Sequence, residues 1–174
     1  YVQYKADGNF DVLEETYSHI YIISAEGGAP RKLTDGNYNH TSPTWAPDGE
    51  SILFTADRSG NADLDPNNAQ IYEMELAQIT DKRGPHYSSV ISPDGQYIAY
   101  LGYEDQFVGY QLTDLYIMNR DGSDVRKISD DLDVDVSNIS WANDSRSLFF
   151  LYDEEGNTKI GNIRLNADIV TVAS

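Results

Sequence analysis

The chain contains no cysteine, which excludes a disulfide framework, a thiolate zinc site and a cysteine nucleophile. Cationic side chains are scarce: 12 Lys and Arg stand against 29 Asp and Glu in 174 residues, a formal charge of −17. Phosphate backbones and anionic lipids are held by clustered Lys and Arg, so generic binding to nucleic acid or to anionic lipid is not expected. The sequence holds no run of about 18 apolar residues, so it encodes no membrane-spanning helix. No stretch of ten or more residues carries a 3.6-residue apolar period between caps, and helix is expected to be near absent. The first residue is Tyr1 rather than Met; the chain is expected to be a portion of something longer, so the lack of a visible leader excludes nothing.

What is present is a repeat. Trp45-Ala46-Pro47-Asp48-Gly49-Glu50-Ser51-Ile52-Leu53-Phe54 recurs as Ile91-Ser92-Pro93-Asp94-Gly95-Gln96-Tyr97-Ile98-Ala99-Tyr100, and again as Trp141-Ala142-Asn143-Asp144-Ser145-Arg146-Ser147-Leu148-Phe149-Phe150. The steps, 45 to 91 and 91 to 141, are 46 and 50 residues. A second marker keeps the same beat: Leu33-Thr34-Asp35, Ile79-Thr80-Asp81 and Ile128-Ser129-Asp130. Between the two comes a Tyr-bearing segment, Ile20-Tyr21-Ile22, Ile71-Tyr72-Glu73 and Leu115-Tyr116-Ile117. Thirteen Tyr and an apolar content of 40% supply side chains suited to strands.

Each repeat reads as four short antiparallel strands. Pro-Asp-Gly is hairpin chemistry, because Pro sets φ, Asp tolerates the bridge region and Gly supplies a positive φ. The segment after it, Ser51 to Thr55, is apolar with little alternation, as in a strand covered on both faces. The Tyr-bearing strand (Gln70 to Glu75) and a last short strand ending in the Leu/Ile-Thr/Ser-Asp marker complete the unit. Four strands per 45 or so residues make a β-propeller blade. The expected fold is therefore all-β, a propeller arc of WD40/TolB-like repeats with three complete blades and part of another. Residues 1–36 are the partial blade, with Ser18–Ser24 and Arg31–Thr34 as strands. The complete blades are 41–81, 87–130 and 137–173. In the second, Glu75-Leu76-Ala77-Gln78 offers no turn residue between its last two strands, so a missing turn is expected near Leu76–Ala77. An incomplete ring would leave apolar surface at residues 1–36 and at the last blade.

Catalytic patterns are lacking. No Gly-x-Ser-x-Gly elbow occurs, and Gly122-Ser123-Asp124 falls in a strand-joining turn. His19 reads as a packing or hydrogen-bonding residue, while His40 and His86 occupy equivalent places just before innermost strands. Asp63-Leu64-Asp65-Pro66-Asn67-Asn68 begins like a calcium loop, but Asn68 and Met74 stand where an EF-hand needs Gly and Glu. Asp130, Asp131, Asp133 and Asp135 read as a solvated connection. Trp45 and Trp141 end equivalent strands and are expected in inter-blade core. No cofactor and no metal is expected.

The motifs as they stand resemble the propeller of the prolyl oligopeptidase family of serine peptidases, most of all its acylaminoacyl-peptidase and dipeptidyl-aminopeptidase-like bacterial branch. The resemblance rests on Tyr4-Lys5-Ala6-Asp7-Gly8, on His19-Ile20-Tyr21-Ile22-Ile23, on Gly27 to Gly36 and on Ser42-Pro43-Thr44-Trp45-Ala46-Pro47-Asp48-Gly49. It continues through Ser92 to Gly102 and covers nearly the whole chain. Asn143-Asp144-Ser145 departs from it. The Trp-x-Pro-Asp-Gly motif alone is shared with the TolB propeller. The resemblance implies a non-catalytic segment that gates access to an α/β-hydrolase domain, which is not in this sequence and would carry the serine triad. Its partners would be peptide substrate, that hydrolase domain and, through open blade faces, a second copy, with no nucleic acid and no membrane. The cytoplasm is the expected compartment, with periplasm and secretion open. The alternative is a TolB-like interaction propeller without enzyme activity. On the peptidase reading the rim loops, Asn37–Thr41, Lys82–Tyr87, Arg58–Ala69 and Gly102–Thr113, are where substrate or hydrolase contacts are expected. Asn39, His40, His86, Tyr87, Glu104 and Asp105 are the candidate rim or substrate-chamber residues.

Overall fold

The computed structural model describes residues 2–4, 10–12, 16–62, 64–74, 77–165 and 169–173. Among them there is no helix. Contacts divide the chain into two units, Tyr1–His40 and Thr41–Ser174.

The first unit holds two small antiparallel sheets, one of β1 (Val2–Tyr4) with β2 (Phe10–Val12), the other of β3 (Tyr21–Ile22) with β4 (Arg31–Lys32). The last two strands are shorter than the sequence suggests, because the ladder continues by other means. The Leu33 amide donates to Ile20 O at 2.8 Å, and the Ile20 amide donates to Thr34 Oγ1 at 3.0 Å.

The second unit is three four-stranded antiparallel meanders, the blades the repeat calls for. They comprise β5 (His40–Trp45), β6 (Ile52–Ala56), β7 (Gln70–Glu73) and β8 (Ala77–Gln78); then β9 (His86–Ile91), β10 (Tyr97–Gly102), β11 (Asp114–Asn119) and β12 (Arg126–Lys127); then β13 (Val136–Trp141), β14 (Ser147–Glu154), β15 (Asn157–Arg164) and β16 (Ile169–Ala173). The fold is that of a β-propeller. Of Leu76–Ala77, near which a missing turn was expected, Leu76 lies outside the described residues, and Ala77 pairs with Glu73.

Alternation along β10 shows why blades stack. Ile98 and Tyr100, with Met118 of their own blade, face the preceding blade and join Leu53 and Ile71. Ala99 and Leu101 face the following blade and meet Leu148, Phe150 and Ile163. A strand buried on both faces has no polar side to show, hence its unbroken apolar run. Each of the leucine, isoleucine, methionine and phenylalanine side chains among them contributes roughly 1.5–3 kcal/mol on burial. Trp141 packs at the second of these interfaces, with its indole N–H on Val90 O at 3.1 Å. Its repeat partner Trp45 departs from expectation and is 51% exposed. Tyr21, Ile23, Phe149 and Ile160 are exposed apolar side chains of the first unit and the last blade.

The hairpin ends follow one plan. Asp48, Asp94 and Asp144 each accept the amide two residues on with a carboxylate oxygen, at 2.9, 3.1 and 2.9 Å. The next residue takes a positive φ: 73° at Gly49, 74° at Gly95 and 57° at Ser145. Serine is strained there, but Ser145 Oγ accepts the Asp94 amide of the neighbouring blade at 3.0 Å. The departure from Pro-Asp-Gly thus exchanges turn comfort for an inter-blade bond.

Candidate functional site

At the opposite end of the blades lies the rim formed by the crossovers and the loops joining second to third strands. The second sequence marker has its physical meaning here. The outermost strands β4, β8 and β12 are two residues long, so a hydroxyl takes over from the ladder. Thr80 Oγ1 accepts the buried Ile71 amide at 2.9 Å, and Ser129 Oγ accepts that of Leu115 at 3.0 Å, as Thr34 does in the first unit. Each hydroxyl proton then needs an acceptor. Thr80 donates to Gln70 Oε1 at 2.7 Å and Ser129 to Asp114 Oδ1 at 2.9 Å. From there the chain crosses to the next innermost strand, whose first amide returns to the residue ahead of the third strand. His40 donates to Ser18 O at 2.9 Å, His86 to Ala69 O at 2.8 Å and Val136 to Thr113 O at 3.0 Å.

Three positions therefore form a set: His19, Thr34 and His40; Gln70, Thr80 and His86; Asp114, Ser129 and Val136. His40 and His86 occupy equivalent rim positions, and both are buried. His40 stacks on His19 with centroids 5.3 Å apart. His86 places Nδ1 3.1 Å from Gln70 Oε1 and meets Tyr100 edge-on at 5.4 Å. Burial, with Lys82 adding to it, lowers the His86 pKa to about 4 against the pull of Glu104 and Asp81, so the ring is neutral at pH 7. Asn39, in the first unit, accepts the Ser18 amide at 2.9 Å and is a loop-holding residue.

The other candidates gather above His86. Tyr87 Oη lies 3.2 Å from Thr113 Oγ1. Lys82 pairs with Glu104. Arg83 pairs with Asp65 at 2.8 Å and with Asp105 at 3.7 Å, joining three loops that are far apart in sequence. The approach is close enough to require glycine: a Cβ on Gly84 would fall 1.9 Å from Tyr103 O, and one on Gly102 would fall 2.3 Å from Pro85 O. Sequence reasoning located this loop cluster but missed its apolar content. Phe107, Val108 and Tyr110 project from the Gly102–Thr113 loop, and the Arg83 guanidinium sits 4.3 Å over the Phe107 ring. Their signal was an apolar cluster in a loop, without strand alternation to claim it for the core. Tyr110 Oη donates to Asp135 Oδ2 at 2.5 Å, and the Thr113 amide to Asp135 Oδ1 at 2.7 Å. Burial alone would raise Asp135, but these bonds outweigh it and hold its carboxyl below the usual range. Among the described residues no group of three or more His, Asp or Glu is placed to hold a metal ion.

Packed four-stranded meanders joined by loops at one rim are the arrangement of a propeller domain. The family model of the TolB beta propeller domain matches residues 9–108, more than half of the chain, and the chain belongs to that family. Tol-Pal system protein TolB of Anaeromyxobacter dehalogenans is 34% identical over 112 residues, 64% of this chain and 24% of that protein. Dipeptidyl-peptidase 5 of Porphyromonas gingivalis is 25% identical over 182 residues, 90% of this chain and 26% of that protein. A puromycin-hydrolyzing peptidase of Mycobacterium tuberculosis shares the fold with a TM-score of 0.69 at 15% identity, over 90% of this chain and 29% of that one. The chain spans about a quarter of the length of these curated relatives. It is a propeller domain with relatives both among peptidases of the prolyl oligopeptidase type and among TolB proteins.

Proposed function

We propose that this chain is a non-catalytic propeller segment of a serine peptidase and that its rim gates peptide access to a hydrolase domain elsewhere in the parent protein. The observation that carries this reading is a sequence match to dipeptidyl-peptidase 5 that runs over 90% of the chain; in fold the likeness to TolB is as extensive, up to 98% of the chain. The Tyr4-Lys5-Ala6-Asp7-Gly8 opening and Tyr100-Leu101-Gly102-Tyr103 favour the same branch. The rim supports it chemically: its histidine serves packing, and its exposed groups are of the kind that select a peptide without cleaving it. Acylaminoacyl, dipeptidyl and oligopeptidase specificities all remain within this proposal.

The second reading, an interaction propeller of the TolB kind, is favoured by the higher identity of the TolB match, 34% against 25%. The two separate in one experiment on the parent protein. A fluorophosphonate probe should label a serine outside residues 1–174, and short chromogenic peptides should be hydrolysed. A parent that takes up no probe and cleaves no peptide would overturn the peptidase reading in favour of the interaction propeller.

A further inference from the structure

The β10–β11 loop is held in place yet exposes its apolar side chains. Its base is fixed by the Asp105 amide on Arg83 O at 3.1 Å, and its arms by the Gln106 amide on Gln111 Oε1 at 2.8 Å and Gln111 Nε2 on Glu104 O at 2.6 Å. Phe107 has a φ of 58°, a conformation unfavourable for a bulky residue. Nevertheless Phe107, Val108 and Tyr110 are 76%, 57% and 70% exposed. A loop constrained to hold apolar groups in water marks a contact surface more than a packing accident.

Beneath this loop runs a cleft of about 730 Å³, closed on its far side by the connection leaving β12. That volume falls within the range of ligand clefts, roughly 300–1,000 Å³. Its apolar wall is Val108, Tyr110, Leu112 and Leu132. Its polar wall has five carboxylates against two lysines. Both lysines are engaged, Lys82 with Glu104 and Lys127 with Asp114 and Asp130. Asp131 and Asp133 are exposed and enter no ion pair among the described residues.

We propose that this cleft docks an extended cationic segment of a partner polypeptide, one that sets Lys or Arg beside an apolar side chain. Charge complementarity selects the occupant: the cation meets Asp131 and Asp133 while the apolar neighbour lies on Val108, Tyr110 and Leu112. A second copy of this chain would bring another −17 and be repelled. The proposal goes beyond the gating role, since neither a peptidase nor an interaction propeller specifies such a groove, and it stands whichever of those readings holds.

The test is fluorescence anisotropy of the whole chain with the labelled peptide Lys-Phe-Arg-Leu-Lys and a control in which Glu replaces every cation. The cationic peptide should bind and the control should not. The exposed double variant Asp131→Asn/Asp133→Asn should weaken binding by about tenfold and flatten its salt dependence. Val108→Ser, which leaves the charges intact, should weaken it by a smaller factor with the salt dependence unchanged. Equal affinity for both peptides, or undiminished binding of the cationic peptide by the double variant, would overturn the proposal.

Discussion

The two rim sets of the second unit, Gln70, Thr80 and His86 against Asp114, Ser129 and Val136, solve one problem in two ways. In both, a hydroxyl takes a buried third-strand amide that a two-residue outer strand cannot reach. In the first, the proton acceptor is a neutral amide and the third member is a buried imidazole. In the second the acceptor is a carboxylate with Lys127 3.4 Å away, and the third member is a buried valine. The repeat thus conserves a hydrogen bond and not a residue. The choice of partners decides which set responds to pH and which crossover must be tight. Only the first crossover relies on a glycine, at Gly84; no glycine stands between Ile128 and Val136.

The largest expected effect comes from closing that space. Gly84→Ala sets a methyl against Tyr103 O at a φ of 140°, and should cost about 3 kcal/mol or more in chemical denaturation. Asp131→Ala in the other crossover should change stability by less than about 0.5 kcal/mol. Similar losses for both would show the crossovers to be alike.

Acidification should separate the sets next. The folded His86 pKa of about 4 lies below its ordinary value of 6.5. The unfolded chain therefore gains a proton first as pH falls. The stability contributed by neutral His86 is complete above pH 6.5 and is lost progressively down to about pH 4, on the order of 3 kcal/mol in all. His86→Val imitates Val136 and should flatten urea-derived stability across that window. An unaltered slope in the variant would assign the acid sensitivity to other groups.

Removing the hydroxyls tests what the sets share. Thr80→Val strands the Ile71 amide, and Ser129→Ala strands that of Leu115; each should cost about 1–3 kcal/mol. A silent Ser129→Ala would confine the device to the first set.

The smallest effect lies at the hairpin end. Ser145→Ala loses the bond from the Asp94 amide while keeping the positive φ, for about 1 kcal/mol. Ser145→Gly loses the same bond but relieves the strain, and should be close to neutral.

Much of this was legible before the fold was known. Pro47-Asp48-Gly49 and its repeats announced their hairpins because turn chemistry is local. Ile52 to Ala56 and Tyr97 to Gly102 announced buried strands because they carry no polar alternation. The Thr/Ser of the second marker was visible as a pattern, but its role was not, since its partner amide lies 9 to 14 residues away. The histidines show the same limit: their spacing placed them on the rim, while their contacts, Gln70 and Tyr100 for His86 and His19 for His40, come from the fold. Trp45 and Trp141 carry the same motif, yet Trp45 is exposed while Trp141 bonds to Val90 of another blade, a contact its own strand does not encode.

The sequence by itself determined an all-β chain of repeating blades, their turns and their strand order, because φ preferences and apolar runs act over a few residues and recur at each repeat. Only the tertiary structure decided which polar groups are buried as a scaffold and which stand free at the rim. That distinction depends on which loops meet, and here Asp65, Arg83 and Asp105 come together from three separate crossings of the chain.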